Sequence, residues 1–175
     1  MAGDRHDLGS LPDPGLYAAL VGCSDLALAP VLASVLAERG TSALVVRGED
    51  GLDEITTAAP TDVWIADSDG VRRETLDAAD FGLALSTPDG LRGGDAAYNA
   101  SVVHRVLAGE PGAARDAVLA NAAGALAAHR RLGGGLHDAF ATGLEEARHV
   151  IDSGGATATL GNWLKLASSL ADRRR

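Results

Sequence analysis

The sequence has 175 residues, a formal net charge of −9 at pH 7, 46% hydrophobic residues and only 3% aromatic residues. A chain of this length fits one domain with a substantial core, and that core must be built mainly from Ala, Leu and Val. The acidic balance argues against a nucleic-acid surface, which needs clustered positive charge, and the single cysteine, Cys23, leaves no intramolecular disulfide within this sequence.

The first part of the chain has the pattern of a β-α-β unit after an irregular lead-in. Residues 1–15 are polar and interrupted by Gly and Pro, which predicts irregular structure. Residues 16–22 are an apolar run of strand length; Ser24 can cap the following helix, and Gly40 can end it. Residues 42–46 are a second apolar strand, and the strand-helix-strand order predicts a parallel pair. The helix face expected to pack inward consists of Leu28, Val31, Leu32, Val35 and Leu36.

A hairpin and a set of helices follow. Residues 62–66 and 71–76 flank the turn signal at residues 68–70, which predicts a hairpin at a sheet edge. From residue 93 the spacing is helical, with Asp95 as a candidate cap and glycine-rich breaks between helices. The inner positions expected in the second helix are Ala96, Asn99, Val103, Val106 and Leu107, and those expected in the last helix are Leu160, Trp163, Leu164 and Leu170.

These elements predict one α/β domain over residues 16–175. The β-α-β unit and the hairpin occupy residues 16–77, and a helical cover occupies residues 93–172. Because the first two strands are joined by a helix, we expect a partial, mainly parallel sheet with the hairpin at its edge.

A loop with four carboxylates follows the second strand, and it ends in the adjacent pair Asp53-Glu54. In an open α/β sheet, ligands collect beyond the carboxyl ends of the strands. A hard cation such as Mg²⁺ is commonly held by one or two carboxylates together with substrate phosphates. From the spacing alone, the loop is either a metal-binding edge or a solvated acidic connection, and both interpretations stay open.

Other motifs also have two interpretations. The helix start Gly93-Gly94-Asp95 could bind an anion through its free amides, or Asp95 could cap those amides itself. Asn99 and Asn121 lie on helix faces where apolar residues are expected, which predicts buried amides that fix helix-to-loop geometry. The five histidines show no metal-ligand spacing, and no P-loop, dinucleotide or nucleophile-elbow pattern is present.

Several segments resemble, in order and spacing, those of the anthranilate phosphoribosyltransferases. Residues 46–55 resemble the Gly-Leu-Asp-Glu loop of that family, and residues 91–100 resemble its Gly-Gly-Asp helix start. Further matching segments are residues 24–30, 115–123 and 147–154. The resemblance extends over roughly residues 8–170 and covers the C-terminal half of a family member.

The resemblance implies transfer of a phosphoribosyl group from phosphoribosyl pyrophosphate to the amine of anthranilate, a step of tryptophan synthesis. It also implies the phosphoribosyltransferase/nucleoside phosphorylase type of fold. In that family the Asp-Glu pair helps to hold Mg²⁺ at the pyrophosphate, and it corresponds to Asp53 and Glu54. The implied metal would neutralise charge that develops on the leaving group.

Parts of the family's site are not in this sequence. Its Gly-Thr-Gly-Gly-Asp loop, its Lys-His-Gly-Asn segment and the N-terminal helices through which it usually dimerises lie upstream of the matching segments. Within the alignment, Ala2 stands where an Arg that meets anthranilate is usual, Arg47 where a His is usual, and Tyr98 where a Glu is usual. We therefore expect the chain to be inactive alone and active in a complex with a second chain that carries the N-terminal half. A homo-oligomer is the alternative assembly.

Two other interpretations remain. The chain could be a non-catalytic binding or scaffolding subunit derived from the enzyme, as the residues at positions 2, 47 and 98 suggest. It could also be a fragment of a longer enzyme, which the polar segment beginning at Met1 makes the less favoured option. Without a secretion signal or a long apolar run, we expect a cytoplasmic protein with no membrane partner.

Overall fold

The computed structural model describes residues 18–132 and 134–173. The strand β1 (Ala18–Gly22), the helix α1 (Ala29–Glu38) and the strand β2 (Ser42–Gly48) form a β-α-β unit in which the two strands pair in parallel. This pairing confirms the predicted parallel pair. The predicted lead-in and the start of the first predicted strand lie outside the described residues.

The sheet continues with β3 (Thr61–Asp67) and β4 (Gly70–Leu76), and its strand order is β1-β2-β3-β4. The hairpin therefore lies at the edge of the sheet, as predicted. The expectation of a mainly parallel sheet is wrong, because β2 with β3 and β3 with β4 both pair antiparallel. The cause is residues 49–60, which contain no crossover helix: the chain leaves β2 and enters β3 at the same end of the sheet.

Four helices follow, after two short 3₁₀ turns at Ala78–Phe81 and Pro88–Leu91. They are α2 (Ala96–Leu107), α3 (Ala113–His129), α4 (Leu136–Asp152) and α5 (Gly155–Asp172). The α/β class and the C-terminal helical cover are confirmed. None of the described helices has both the length and the apolar character needed to cross a bilayer.

Side chains alternate between the two faces of the sheet and so create two cores. One face packs against α3 and α4 through Leu44, Val46, Val63 and Ile65. The other face packs against α1 through Ala43, Val45, Trp64 and Ala66. The helices α3 and α4 meet closely, since a Cβ added at Gly143 would lie 2.7 Å from the Ala123 carbonyl oxygen. The core is thus built largely from small side chains, as the composition predicts.

The faces predicted for three helices differ from those observed. In α1, the buried residues are Ala29 and Ala33, whereas Leu28, Val31 and Val35 are exposed. The Ala side allows the helix to approach the sheet. Of the predicted inner residues, Leu32 and Leu36 are half-buried against this core, as expected, and the other three face solvent. The helix begins at a turn closed by Asp25, whose Oδ1 accepts from the Ala27 and Leu28 amides, so the predicted Ser24 cap is wrong.

The helices α2 and α5 are more exposed than predicted. In α2, Val106 is buried, but Ala96, Asn99 and Val103 are exposed. In α5 no residue is buried, and Trp163 is 63% exposed. Both helices are amphipathic. Ala156, near the start of α5, packs against the core, but the apolar side chains of α5 from Trp163 onward are exposed.

Candidate functional site

The acidic loop leaves the sheet and returns to it at two residues that pair with each other. It occupies residues 49–60, and the residues on either side of it, Gly48 and Thr61, pair with each other in the β2–β3 ladder. Asp50 shapes the loop: its Oδ1 accepts from the Leu52 amide at 3.2 Å, and its Oδ2 accepts from the Thr56 hydroxyl at 2.7 Å. One of the four carboxylates therefore has a structural role.

Asp53 and Glu54 lie beside a cavity of about 450 Å³. Both residues are exposed, and neither carboxylate hydrogen-bonds or ion-pairs with another described residue. The cavity lies at the carboxyl ends of two parallel strands, where the sequence predicts a ligand. Its lining consists of Leu20, Gly22, Val46, Asp53, Glu54, Ala117, Val118 and Asn121.

A side chain from α3 holds the loop in place. The Ile55 amide donates to Asn121 Oδ1 at 3.0 Å, and Asn121 Nδ2 donates to the Ile55 carbonyl, also at 3.0 Å. Nδ2 donates in addition to the Ala117 carbonyl of the same helix at 3.0 Å. These contacts confirm the prediction that Asn121 fixes helix-to-loop geometry.

Two glycines that were not predicted as site residues make room for the loop. A Cβ added at Gly22 would lie 1.6 Å from the Asp53 carbonyl oxygen, and one added at Gly124 would lie 2.4 Å from Ile55 Cδ1. An isolated glycine at a strand end or inside an Ala-rich helix can signal such a close approach. That signal was present at both positions.

Arg47 connects the loops that follow β1 and β2. Its Nε donates to the Ser24 carbonyl at 2.9 Å, and its Nη1 donates to the Gly48 carbonyl at 3.2 Å. The side chain thus braces the start of the acidic loop. It is not part of the cavity lining.

The Gly-Gly-Asp segment forms a helix cap. Asp95 Oδ1 accepts from the Tyr98 amide at 2.8 Å, and Asn99 Oδ1 accepts from the Gly94 amide at 2.9 Å. The capping interpretation is confirmed, because side chains of the same segment occupy these two amides. Asn99 also donates to the Gly94 carbonyl at 3.0 Å, so it fixes local geometry as predicted, although it is exposed rather than buried.

Tyr98 does not meet the acidic pair. It lines a separate cavity of about 310 Å³ together with Arg92 and Arg105, and the Arg105 guanidinium lies 6.0 Å from the centre of its ring. Ala2 lies outside the described residues. The structure thus brings Asp53, Glu54 and Asn121 together and leaves Tyr98 elsewhere.

The donor chemistry of the acidic pair fits a magnesium ion. Over residues 18–132 and 134–173, no group of three or more His, Cys, Asp or Glu side chains could hold a metal. Two carboxylates alone suit Mg²⁺, which usually keeps several water ligands and completes its coordination with substrate phosphates. They do not suit zinc, whose structural sites need four protein ligands.

The chain matches known proteins in both sequence and structure. The sequence profile of the glycosyl transferase family, a/b domain, matches residues 7–157. The chain is 54% identical over 164 residues to the anthranilate phosphoribosyltransferase of Salinispora arenicola, a match that covers 93% of this chain and 46% of the relative. It is 48% identical over 164 residues to that of Saccharopolyspora erythraea, covering 93% and 47%. The chain spans about half the length of the curated relatives it matches.

Solved structures show the same fold. The anthranilate phosphoribosyltransferase of Saccharomyces cerevisiae, in complex with PRPP and Mg, matches with a TM-score of 0.76 and 25% identity, over 86% of this chain and 42% of that chain. The enzyme of Thermus thermophilus matches with a TM-score of 0.74 and 28% identity, over 86% and 43%.

Proposed function

The chain belongs to the glycosyl transferase family, a/b domain, and we propose that it is the C-terminal half of an anthranilate phosphoribosyltransferase-like enzyme. The assembled enzyme transfers the phosphoribosyl group of phosphoribosyl pyrophosphate to an aromatic amine, anthranilate. One observation carries the proposal: Asp53 and Glu54 line a cavity at the strand ends, in a chain 54% identical to such an enzyme. We propose that it acts in the cytoplasm.

The acidic pair would hold Mg²⁺ through its carboxylate oxygens. When bound, the ion supplies positive charge that stabilises the pyrophosphate leaving group. The loop contributes a fixed position, since Asp50, Asn121 and Gly22 hold its backbone while the two carboxylates stay free of other described partners. The yeast relative solved with PRPP and Mg supports this assignment.

The lining of the cavity supports the need for the other half of the enzyme. It contains two carboxylates, one amide and apolar groups, but neither Lys nor Arg. A site for a substrate with several phosphates needs cations or converging amides in addition to a metal. We therefore propose that an N-terminal half, supplied by a second chain, provides the phosphate cradle and the amine pocket.

Exposed apolar surface also supports a partner. The outward side of α1 carries Leu28, Val31 and Val35, and α5 carries Trp163 and Leu166, all of them exposed. Contiguous apolar surface of this kind typically marks an interface. We propose that the partner covers one of these faces.

The proposal is tested by reconstitution. The chain is mixed with the unmatched N-terminal half of the Salinispora arenicola relative, and pyrophosphate release is followed with phosphoribosyl pyrophosphate, anthranilate and Mg²⁺. We expect no turnover by the chain alone, turnover by the mixture, and a loss of at least tenfold in a D53N/E54Q mixture. A complex that forms without turnover, or turnover that the double substitution leaves unchanged, contradicts the proposal.

A non-catalytic scaffolding subunit is the second candidate. It is favoured by Arg47 and Tyr98, which differ from the usual residues of the resembled family. Arg47 hydrogen-bonds to the Ser24 carbonyl, Tyr98 lines a separate cavity, and neither lines the cavity of the acidic pair. For such a subunit, replacing Asp53 and Glu54 by Ala would leave assembly and the partner's activity unchanged. For the enzyme, the same replacement abolishes turnover without preventing assembly.

A further inference from the structure

We propose that Asn121 is a positioning residue for the metal-binding pair Asp53-Glu54, acting through Ile55. The inference rests on the proposed function, since it concerns how the same acidic loop is kept ready for a divalent cation. It assigns a role to a side chain that lies 66 positions away from Ile55 in the sequence and on a different element.

The Asn121 amide is fixed in one orientation. Its oxygen accepts from the Ile55 amide, and its nitrogen donates to the Ile55 and Ala117 carbonyls, so both N–H groups and the oxygen are engaged. Turning the amide over would place its N–H groups against the Ile55 N–H and leave two carbonyls facing an oxygen. The contact therefore sets both the distance and the orientation of the Ile55 peptide group.

The same helix also holds the Ile55 side chain. Ile55 is 1% exposed, and its Cδ1 occupies the space that a Cβ at Gly124 would take. Positions 121 and 124 are three residues apart and so lie on one face of α3. The helix thus offers a polar contact and an apolar notch to a single residue of the loop.

The other side of the acidic pair rests on the sheet. The Asp53 carbonyl lies against Gly22 at the end of β1, where no Cβ fits. Glu54 is therefore held between one residue that rests on β1 and one that is bound to α3. Neither carboxylate has a described partner of its own. The backbone contacts therefore fix the Cα positions from which both side chains extend. Groups that orient metal ligands commonly change metal affinity about 10- to 100-fold when removed.

Asn99 provides a matched control. It makes the same pair of contacts with one backbone residue, Gly94, at 2.9 and 3.0 Å. It lies on α2 and lines the cavity of Tyr98 rather than that of Asp53. Losing either amide removes the same kind of hydrogen bonds, but only one of them supports the acidic pair.

The test compares Asn121→Leu, Asn99→Leu and the D53N/E54Q variant by titration with Mn²⁺ followed by electron paramagnetic resonance, with and without inorganic pyrophosphate. Urea unfolding of each variant measures the loss of stability. We expect Asn121→Leu to weaken Mn²⁺ binding about tenfold, Asn99→Leu to change it less than about twofold, and D53N/E54Q to abolish it. A second variant, Gly124→Ala, displaces Ile55 without touching the polar contacts and should weaken Mn²⁺ binding in the same direction. Gly124→Ala takes the place of Asn121→Leu in the comparison if Asn121→Leu does not fold.

The outcomes separate the inference from the proposed function. If D53N/E54Q abolishes Mn²⁺ binding but Asn121→Leu or Gly124→Ala binds as the unsubstituted chain does, the metal edge stands and the positioning role is wrong. Equal effects of Asn121→Leu and Asn99→Leu on Mn²⁺ affinity also overturn the positioning role. If D53N/E54Q binds Mn²⁺ normally, or the unsubstituted chain does not bind it, the metal assignment itself is wrong and the positioning role falls with it.

Discussion

At the residue scale, close backbone approaches shape the candidate site as much as charged groups do. Gly22 admits the Asp53 carbonyl, and a Cβ at Gly48 would lie 2.2 Å from Asp50 Oδ1. Any side chain at either position would displace the loop or the residue beneath it. The position of the acidic loop therefore depends on the absence of a side chain at Gly22 and at Gly48.

Gly22→Ala should displace the acidic loop. Because the added Cβ would overlap the Asp53 carbonyl, we expect a loss of about 1–3 kcal/mol in the free energy of unfolding and weaker Mn²⁺ binding. Urea unfolding and Mn²⁺ titration measure the two effects. Gly161→Ala is the control, since a Cβ there meets no atom within 4 Å, and it should stabilise α5 by up to about 1 kcal/mol. An unchanged Mn²⁺ affinity in Gly22→Ala would contradict the expectation.

Asp67 gives a pH-dependent prediction. Burial of the Asp67 carboxyl would raise its pKa, but hydrogen bonds from Arg72 and from the Asp69 amide, together with the Arg72 charge, leave the pKa below its usual value. Because the folded-state pKa lies below that of the unfolded chain, the contribution to stability is complete above about pH 4. It is lost as the pH falls through the folded-state pKa.

Arg72→Gln should therefore destabilise the protein at pH 7 by up to about 1 kcal/mol and have a smaller effect in acid. Unfolding free energies of both proteins, measured between pH 7 and pH 2, test this. Arg39→Gln is the control, because the exposed Arg39 side chain forms no ion pair with a described residue. A difference between Arg72→Gln and the unsubstituted chain that stays constant down to pH 2 would refute the assigned linkage.

At the scale of elements, local signals predicted where helices and strands lie, and long-range contacts decided which faces are buried. Gly40 and Asp95 end and begin helices as their types suggest. The buried side of α1 was predicted only in part because both of its sides are apolar. The close approach to the sheet buries Ala33 and leaves Val35 exposed. The direction of β3 depended on the absence of a crossover helix before it.

The candidate site shows the same division. Asp53 and Glu54 are adjacent in the sequence, so their pattern could be recognised from residue types alone. The contacts that hold them come from Gly22 and Asn121, which are distant in the sequence. The residue type of Asn121 predicted hydrogen bonds that fix helix-to-loop geometry. Its partner, Ile55, could not be predicted, because that contact depends on how α3 packs against the loop.

The exposed stripe of α5 should contribute little to the stability of the chain alone. Leu166 in α5 is 58% exposed, whereas Leu144 in α4 is 2% exposed. We expect Leu166→Ala to change the free energy of unfolding by less than about 0.5 kcal/mol and Leu144→Ala to lower it by about 2–5 kcal/mol. Urea unfolding of the two variants measures the contrast. A large loss in Leu166→Ala would mean that α5 is already packed in the isolated chain.

At the scale of the whole molecule, both edges of the described sheet and one apolar helix face are open. Among the described strands, β1 and β4 each pair with one neighbour only. The helix α1 packs over β2, β3 and β4, and its outward side is apolar. Open edges and apolar patches promote association, whereas the net charge of −9 opposes it. The balance should depend on salt, because salt screens the charge and leaves the apolar contact intact.

Val31→Lys should reduce self-association of the isolated chain. Val31 is 53% exposed on the outward side of α1, so a charge there interrupts the apolar patch without entering the core. Sedimentation velocity over a range of protein and salt concentrations measures the effect. Ser68→Lys adds the same charge at the exposed β3–β4 turn, outside α1, and serves as the control. Equal behaviour of the two variants would argue that the outward side of α1 is not an association surface.

The pairing of Gly48 with Thr61 has a consequence for folding. The β2–β3 ladder brings together the two ends of the 12-residue segment between them. The entropic cost of closing this loop is therefore incurred when the sheet forms. The acidic pair then needs only its contacts with β1 and α3 to reach its final position. A cation that binds the finished loop would consequently stabilise the sheet by mass action, and unfolding of the chain should shift to higher urea concentration as Mn²⁺ is added. Metal binding and domain folding would then be linked in a single equilibrium.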